Sequence, residues 1–366
     1  MTEIGVLLML KNEEKSIMIT LNSIKMHFEH LIVFDTGSTD NTISIIETFC
    51  SNNNIRLYLK QGIFKSFPES RNESLKFADS LKNIKFLILM DAGDEFQTKY
   101  KKSDFQKIIH NLSNTVDYGI VKQQWLTQTG IDDHVDMRFI RNNRNIRYDI
   151  QYPVHEQIMN IQQYQSTNLS KIFVLYQDRI KYGISSEQRY KKDIELLLKA
   201  TPNKRNLYFL AQSYMSIDDY KNGFKYNVMC LNEKSNDHDD IFTNVRAGYC
   251  AMICKMNESI VMKYLKKAIA SKEPPIDAYI YILRFYLDNK EPEKAIPYIR
   301  DLCLLKKPDE LKSTLVNHHF YDYVRWHLIS VICLLSKQEL ELGKFACIEA
   351  IKSQSKPIDM KNLTFF

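Results

Sequence analysis

Three short β-rich runs in the first hundred residues each stop at a polar cluster. Ile4–Leu10 runs into Lys11-Asn12-Glu13-Glu14, Leu31–Phe34 into Asp35-Thr36-Gly37-Ser38, and Phe86–Met90 into Asp91-Ala92-Gly93-Asp94. Helical periodicity follows in Glu14–His27, Thr39–Cys50 and Glu69–Leu81. Strands alternating with helices of this length make βαβ units, whose crossovers build a mostly parallel sheet. Ligands in such sheets sit at the carboxyl ends of the strands. All three polar clusters lie at those ends. The first half is therefore expected to be an α/β domain with its site at Asp35 and Asp91.

The period then changes. Tyr118–Leu126, Val135–Arg141 and Ile146–Ile150 keep strand character, with Asp133 and His134 expected in the turn between the first two. From Ser185 onward only amphipathic helices follow, joined by short loops. Leu207-x-x-Leu210-Ala211-x-x-Tyr214, then Gly223 and Cys230, resembles the tetratricopeptide pattern, and Tyr279-x-x-Ile282-x-x-x-Tyr286 with Ala295 repeats it loosely. A plain helical bundle with Tyr and Leu stripes as core is the simpler alternative. The expected division is an α/β domain over residues 1–184 and an all-α, tetratricopeptide-like domain over 185–366. At roughly 150 residues per domain, 366 residues also point to two.

Composition narrows the functional classes. The longest uncharged apolar run, Ile4 to Leu10, falls far short of the roughly 20 residues that cross a bilayer, and it lacks the flanks of a signal peptide. No membrane is expected, and the location expected is cytoplasmic. The bias to Lys, Asn and Ile suggests an AT-rich genome, which for a virus means host cytoplasm or virion. Fifty Lys and Arg against 44 Asp and Glu leave a surplus of +6, too diffuse for a nucleic-acid binder. Six of the seven cysteines fall from Cys230 onward, without C-x-x-C spacing, so reduced buried thiols are expected rather than a zinc site.

Val33-Phe34-Asp35-Thr36-Gly37-Ser38 matches the aspartic-protease signature. That chemistry needs two facing carboxylates sharing a proton, and the chain has no second Asp-Thr-Gly. A nucleotide pocket suits the context better: Asp35 can accept hydrogen bonds from a base or ribose, Gly37 allows a tight turn, and Ser38, Thr39 or Asp40 can cap the next helix. A plain strand-to-helix turn is the alternative. Asp91-Ala92-Gly93-Asp94-Glu95 gathers carboxylates that repel one another unless a cation lies between them, which suits Mg²⁺ or Mn²⁺ bridging to phosphate.

Six segments in order and spacing resemble family 2 glycosyltransferases. They are Leu8-x-Leu10-Lys11-Asn12-Glu13-Glu14, Val33 to Thr42, Glu69-Ser70-Arg71-Asn72, Leu89 to Glu95, Arg138-Phe139-Ile140-Arg141 and Val154-His155-Glu156-Gln157. The resemblance implies a GT-A fold that binds a UDP-sugar with a divalent metal. On that mapping Asp35 and Arg71 lie by the uracil, Leu10 and Glu13 line the nucleoside, and Asp91 and Asp94 serve metal and diphosphate. The family usually reads Asp-x-Asp, and Gly93 replaces the second Asp here. His155 is then the expected third metal ligand, favouring Mn²⁺ over Mg²⁺.

Family 2 enzymes invert the anomeric carbon, so a carboxylate must take the acceptor's proton. Glu156 is the expected base, with Asp133 in reserve. Arg138 and Arg141 are the expected phosphate partners, and Trp125 is placed to stack on a sugar or to pack in the core. The function expected is a metal-dependent transfer of a hexose, glucose by family frequency, to a hydroxyl of a peptide-linked or glycan acceptor. A homodimer through the helical half is the expected assembly. Two other readings are weighed. A catalytically inactive scaffold is motivated by Gly93. A nucleotidyltransferase would want a Gly-rich phosphate loop where Lys11-Asn12-Glu13-Glu14 stands.

Overall fold

A computed structural model of the chain describes residues 3–112, 115–127, 130–182, 186–234, 240–308, 317 and 319–366. The contacts divide it into two compact units, Met1–Ala200 and Thr201–Phe366. The break falls later than the expected one after residue 184. The helix Ser186–Lys199 belongs to the first unit, where Lys192 Nζ lies 5.2 Å from the ring centroid of Phe64 and 5.3 Å from that of Phe67.

The first unit holds strands β1 (Glu3–Leu10), β2 (His30–Asp35), β3 (Arg56–Gln61), β4 (Ile84–Met90), β5 (Glu95–Gln97), β6 (Tyr118–Thr127), β7 (Gly130–Arg141), β8 (Ser166–Asn168) and β9 (Val174–Asp178). Their order is β3-β2-β1-β4-β7-β6-β9-β5, with β8 beside β6. The run from β3 to β4 is parallel, β7 is antiparallel to both β4 and β6, and β9 runs parallel to β6. Helices α1 (Ile17–Ile24), α2 (Thr42–Asn52), α3 (Phe67–Asp79), α4 (Lys102–His110), α5 (Arg179–Tyr182) and α6 (Ser186–Lys199) complete the unit.

Both faces of the parallel strands are covered, which is why they read as continuous apolar runs rather than alternating ones. Val6, Leu8, Val33 and Ile88 pack with Ile17 and Leu21 of α1 and Ile46 of α2. Leu7, Ile32, Leu87 and Leu89 point the other way, onto Leu75 and Ala78 of α3. Ser66 caps the start of α3: its Oγ donates to Glu69 Oε2 over 2.8 Å and accepts from the Glu69 N–H, with Pro68 in the first turn.

Two expectations change here. Ile146–Ile150 is not a strand, and Tyr148 makes only an isolated bridge to Ile158. The Asn72 side chain takes the backbone of Tyr148 instead, donating to its carbonyl at 2.9 Å and accepting from its N–H at 2.8 Å. Asp133 and His134 lie within β7 rather than in a turn, opposite Gln124 and Gln123 of β6.

The regular elements among the described residues of the second unit are helices: α7 (Lys204–Met215), α8 (Tyr220–Asn232), α9 (Asp240–Ile253), α10 (Glu258–Ile269), α11 (Ile276–Asp288), α12 (Ile296–Leu304), α13 (Arg325–Ser336), α14 (Leu340–Ser353) and α15 (Pro357–Leu363). From α7 to α11 each helix packs on its neighbour in sequence, the arrangement of a tetratricopeptide-like stack. Leu207, Leu210, Ala211, Tyr279, Ile282 and Tyr286 of the two motifs are buried, as that repeat pattern requires. All seven cysteines are free thiols. No helix among the described residues is long and apolar enough to cross a membrane.

Candidate active site

The loops after β1 and β2 form one hydrogen-bonded structure. Leu10 and Asp35 are register partners at the strand ends, both buried. Asn12, at φ 56°, donates its N–H to Ser38 Oγ at 2.9 Å and accepts from the Thr39 N–H at 2.7 Å. The Glu13 N–H donates to Thr42 Oγ1 at 2.7 Å, and the Asp40 carboxylate accepts from the N–H groups of Glu14 and Thr42. Asp35 Oδ1 accepts from the Ser38 N–H at 2.9 Å and from Ser38 Oγ at 2.6 Å, across a turn in which Gly37 takes φ 102°. The two polar clusters thus build one rigid floor. Glu13 sits on it with its carboxyl raised by burial and, further, by the charges of Asp91 and Asp40.

Beyond β4 the chain turns sharply at Gly93, whose φ of 94° a side chain would strain. Thr20 Oγ1 accepts from the Gly93 N–H at 2.9 Å, and Asp94 Oδ2 accepts from the Asp91 N–H at 2.9 Å. Asp94 is buried, and desolvation followed by the charge of Asp91 pushes its carboxyl up to about 7.

Asp91 is held by two arginines. Arg138 Nη1 donates to Oδ2 at 2.9 Å, and Arg71 Nη2 lies 3.5 Å from Oδ1. Desolvation pulls Asp91 upward, and the guanidiniums of Arg138 and Arg71 more than reverse it, holding the carboxyl well below its usual range. Arg71 Nε also donates to Glu156 Oε1 at 3.0 Å, and Arg138 Nε lies 3.4 Å from Asp136 Oδ2. The result is a chain of alternating charge, Glu156–Arg71–Asp91–Arg138–Asp136. It borders a cavity of about 350 Å³ whose remaining wall includes Tyr118, Ile120, Met137 and Tyr148. That is the low end of ligand-sized pockets, with apolar walls and a few convergent polar groups.

Of the residues expected in the site, Asp91, Arg71, Arg138 and Glu156 make direct contact, and Asp94 and Glu13 adjoin Asp91. Three others fall outside. Asp133 is exposed on β7, held by Lys122 Nζ at 2.5 Å and Gln124 Nε2 at 3.0 Å. It lies five positions before Arg138, roughly 16 Å along an extended strand. Arg141 donates to the Val116 carbonyl at 2.8 Å and lies over the Phe86 ring, because the antiparallel course of β7 returns it toward the start of β4. His155 is exposed at φ 51° and does not join Asp91 and Asp94.

The expected metal set is therefore not assembled. Among the described residues no three His, Cys, Asp or Glu side chains group to hold an ion. Both Asp91 oxygens face guanidiniums, and Asp94 turns back on the Asp91 backbone. These residues do not fit a divalent cation as arranged. Trp125 is half-buried, its ring 3.9 Å from that of His134 and 3.5 Å from the Arg179 guanidinium. Arg179, Asp136 and Tyr148 were not legible as site residues. Asp136 lies within β7, Tyr148 in the loop after it and Arg179 at the start of α5, and no motif singles them out.

Residues 6–166 match the family model described as Glycosyl transferase family 2. Over that stretch, somewhat under half of the chain, the protein is similar to the family 2 glycosyltransferases. The mostly parallel sheet there, with an antiparallel strand beside β4, is the α/β architecture expected from the motifs. An uncharacterized protein of Methanocaldococcus jannaschii is 33% identical over 28% of this chain and 44% of its own length. The SPbeta prophage-derived glycosyltransferase SunS of Bacillus subtilis is 24% identical over 68% of this chain and 58% of its own. The chain thus spans about half the length of the curated relatives it matches. S. aureus TarS 1-349, solved in complex with UDP-GlcNAc, aligns with 97% of this chain and 93% of its own at 14% identity, with a TM-score of 0.39.

Proposed function

We propose that the chain moves a hexose from a UDP-sugar to a hydroxyl of a peptide-linked or glycan acceptor, with inversion at the anomeric carbon, and that glucose is the donor sugar to test first. The observation that carries this reading is that Glu156, Arg71 and Arg138 line a ligand-sized cavity and are tied together through Asp91, just past the end of β4. The similarity to family 2 supports a nucleotide-sugar donor. In the reaction the acceptor oxygen forms a bond to the anomeric carbon as the bond to the diphosphate oxygen breaks. The acceptor's proton passes to a carboxylate, and Glu156 is the one we assign. Asp133, out on β7, has no part in this assignment. The second unit, a tetratricopeptide-like stack, suits an extended peptide as acceptor.

The test is to incubate the protein with each common UDP-sugar and measure UDP release, with and without acceptor. Selective consumption of one donor supports the reading and names the sugar. Binding of UDP without consumption of any donor supports the inactive scaffold instead.

A further inference from the structure

The turn that displaces the metal set is met by guanidiniums. Arg138 is buried, and its Nε has no hydrogen bond, only the 3.4 Å approach to Asp136. Arg179 stands at the start of α5, half-buried, its guanidinium 3.5 Å over the Trp125 ring and its Nε donating to Gln177 Oε1 at 2.9 Å. Gln177 pairs with Trp125 across β9 and β6, and its amide reaches to 3.5 Å from where a Gly93 side chain would begin. Arg179 thus borders the Asp91-Ala92-Gly93-Asp94 turn and is within electrostatic range of both carboxylates.

Among the described residues Arg179, unlike Arg71 and Arg138, makes no salt bridge to a carboxylate. Arg179 is also repelled by Arg138 and by Arg189 of α6. Asp91, the carboxylate between Arg71 and Arg138, is already shared by those two. Like charges gathered in a half-buried place are unfavourable unless an anion completes the set. Guanidinium forks match phosphate oxygens in shape as well as charge.

We propose that Arg138 and Arg179 themselves neutralise the diphosphate of the donor, so that the nucleoside diphosphate binds without a divalent cation. The proposal rests on the reading of this cavity as a nucleotide-sugar site. It accounts together for the glycine at 93, the turned-back Asp94 and an Arg179 braced on an aromatic ring and a glutamine.

The experiment is calorimetric titration of the full chain with UDP and with uridine, each in EDTA and in MnCl₂, for the wild type, Arg179→Ala and Arg179→Lys. The wild type should bind UDP with a Kd that changes by less than about threefold between EDTA and Mn²⁺. Arg179→Ala should weaken UDP about 10–100-fold, the worth of a charge-assisted bond, and leave uridine unchanged, with Arg179→Lys between the two. UDP binding lost in EDTA and restored by Mn²⁺ overturns the proposal while leaving the nucleotide site intact. So does an Arg179→Ala variant that binds UDP like the wild type. If Arg179→Ala loses uridine as well, the pocket has been damaged, and Arg179→Lys with the wild-type EDTA titration decides. A wild type that binds neither uridine nor UDP overturns the nucleotide-sugar reading, and this proposal with it.

Discussion

Arg71 joins two carboxylates from distant parts of the chain, its Nε 3.0 Å from Glu156 Oε1 and its Nη2 3.5 Å from Asp91 Oδ1. Asn72, the next residue, pins the Tyr148 backbone through both of its amide atoms, so one turn of α3 positions the loop that carries Glu156. The segment Glu69-Ser70-Arg71-Asn72 therefore acts as a fastener between the parallel sheet and the loop that follows β7. Its chemistry and its structural role separate by measurement.

Replacing Arg71 with Ala leaves Glu156 without its guanidinium and Asp91 with one of two. The cost expected is about 2 kcal/mol, below the roughly 3–5 kcal/mol of a fully buried pair, because the Asp91 side chain remains 37% exposed. Urea unfolding of the variant beside the wild type measures it. Arg71→Lys should recover only part, since an ammonium cannot span both carboxylates with a planar fork. Equal stability of all three proteins would mean that the contacts hold nothing together.

Asp94 makes stability depend on pH in a stated direction. Its folded-state pKa is raised to about 7 by burial and by Asp91, against an unfolded value of about 3.9. A group raised on folding contributes stability that is fully present below the unfolded pKa and is lost as pH rises through the folded one. Asp94→Asn keeps an oxygen for the Asp91 N–H but does not titrate. The melting temperature of the wild type, relative to Asp94→Asn, should therefore fall between about pH 4 and pH 7 and level off above. A flat difference across that window would show that Asp94 is ionised throughout.

Much of this arrangement was legible beforehand, and the reason is local. Parallel strands covered on both faces leave unbroken apolar runs, so the ends of β1, β2 and β4 could be read directly. Each end is where Leu10, Asp35 and Asp91 now stand. Arg71 and Glu156 were found by motif, although 85 positions separate them. The misplacements share a different cause. Asp133 and Arg141 depend on where the β6–β7 turn lies and on the direction of β7, and a period of two reports neither. His155 was read from its neighbour's motif, whereas φ 51° sets it on an exposed corner. Arg179 carries no pattern at all; only the pairing of β9 with β6 brings it to Trp125.

Gly93 should tolerate no side chain without strain. Its Cβ would meet only Gln177 and Ser16 at 3.5 and 3.7 Å, ordinary contacts, so space is not the obstacle. The φ of 94° is. Gly93→Ala is expected to lower stability by about 1 kcal/mol or more, through the backbone alone. Thermal unfolding beside the wild type checks this, and an unchanged melting temperature would mean that the turn can adopt a second conformation.

Asp35 is the test of the proposed nucleoside contact. One of its oxygens already accepts from Ser38 twice, so Asp35→Ala removes a turn as well as any ligand bond. Ser38→Ala is the control, because it disturbs the same turn and keeps the carboxylate. Asp35→Ala should weaken UDP binding by about 0.5–1.5 kcal/mol for each hydrogen bond lost, and Ser38→Ala by clearly less. Equal losses in the two variants would make Asp35 a turn residue only.

Glu156 is the last and most consequential case. Its carboxylate is bound to Arg71 at 3.0 Å and sits on the cavity wall, half-buried. Glu156→Gln preserves the shape and can still accept from Arg71 Nε, yet it cannot take a proton. If Glu156 is the base, UDP-sugar binding stays near the wild-type value while turnover drops by about 10²–10⁴. A purely structural Glu156 would instead show up in the melting temperature and in donor affinity, through a loosened Arg71, with turnover at saturating donor little changed. Transfer at the wild-type rate in Glu156→Gln would move the search to Asp136, which also borders the cavity and pairs with Arg138. Asp133, salt-bridged to Lys122 on the exposed part of β7, should be neutral to substitution in the same assay. A large loss of turnover in Asp133→Asn would show that the exposed part of β7 around Asp133 turns toward the cavity during the reaction.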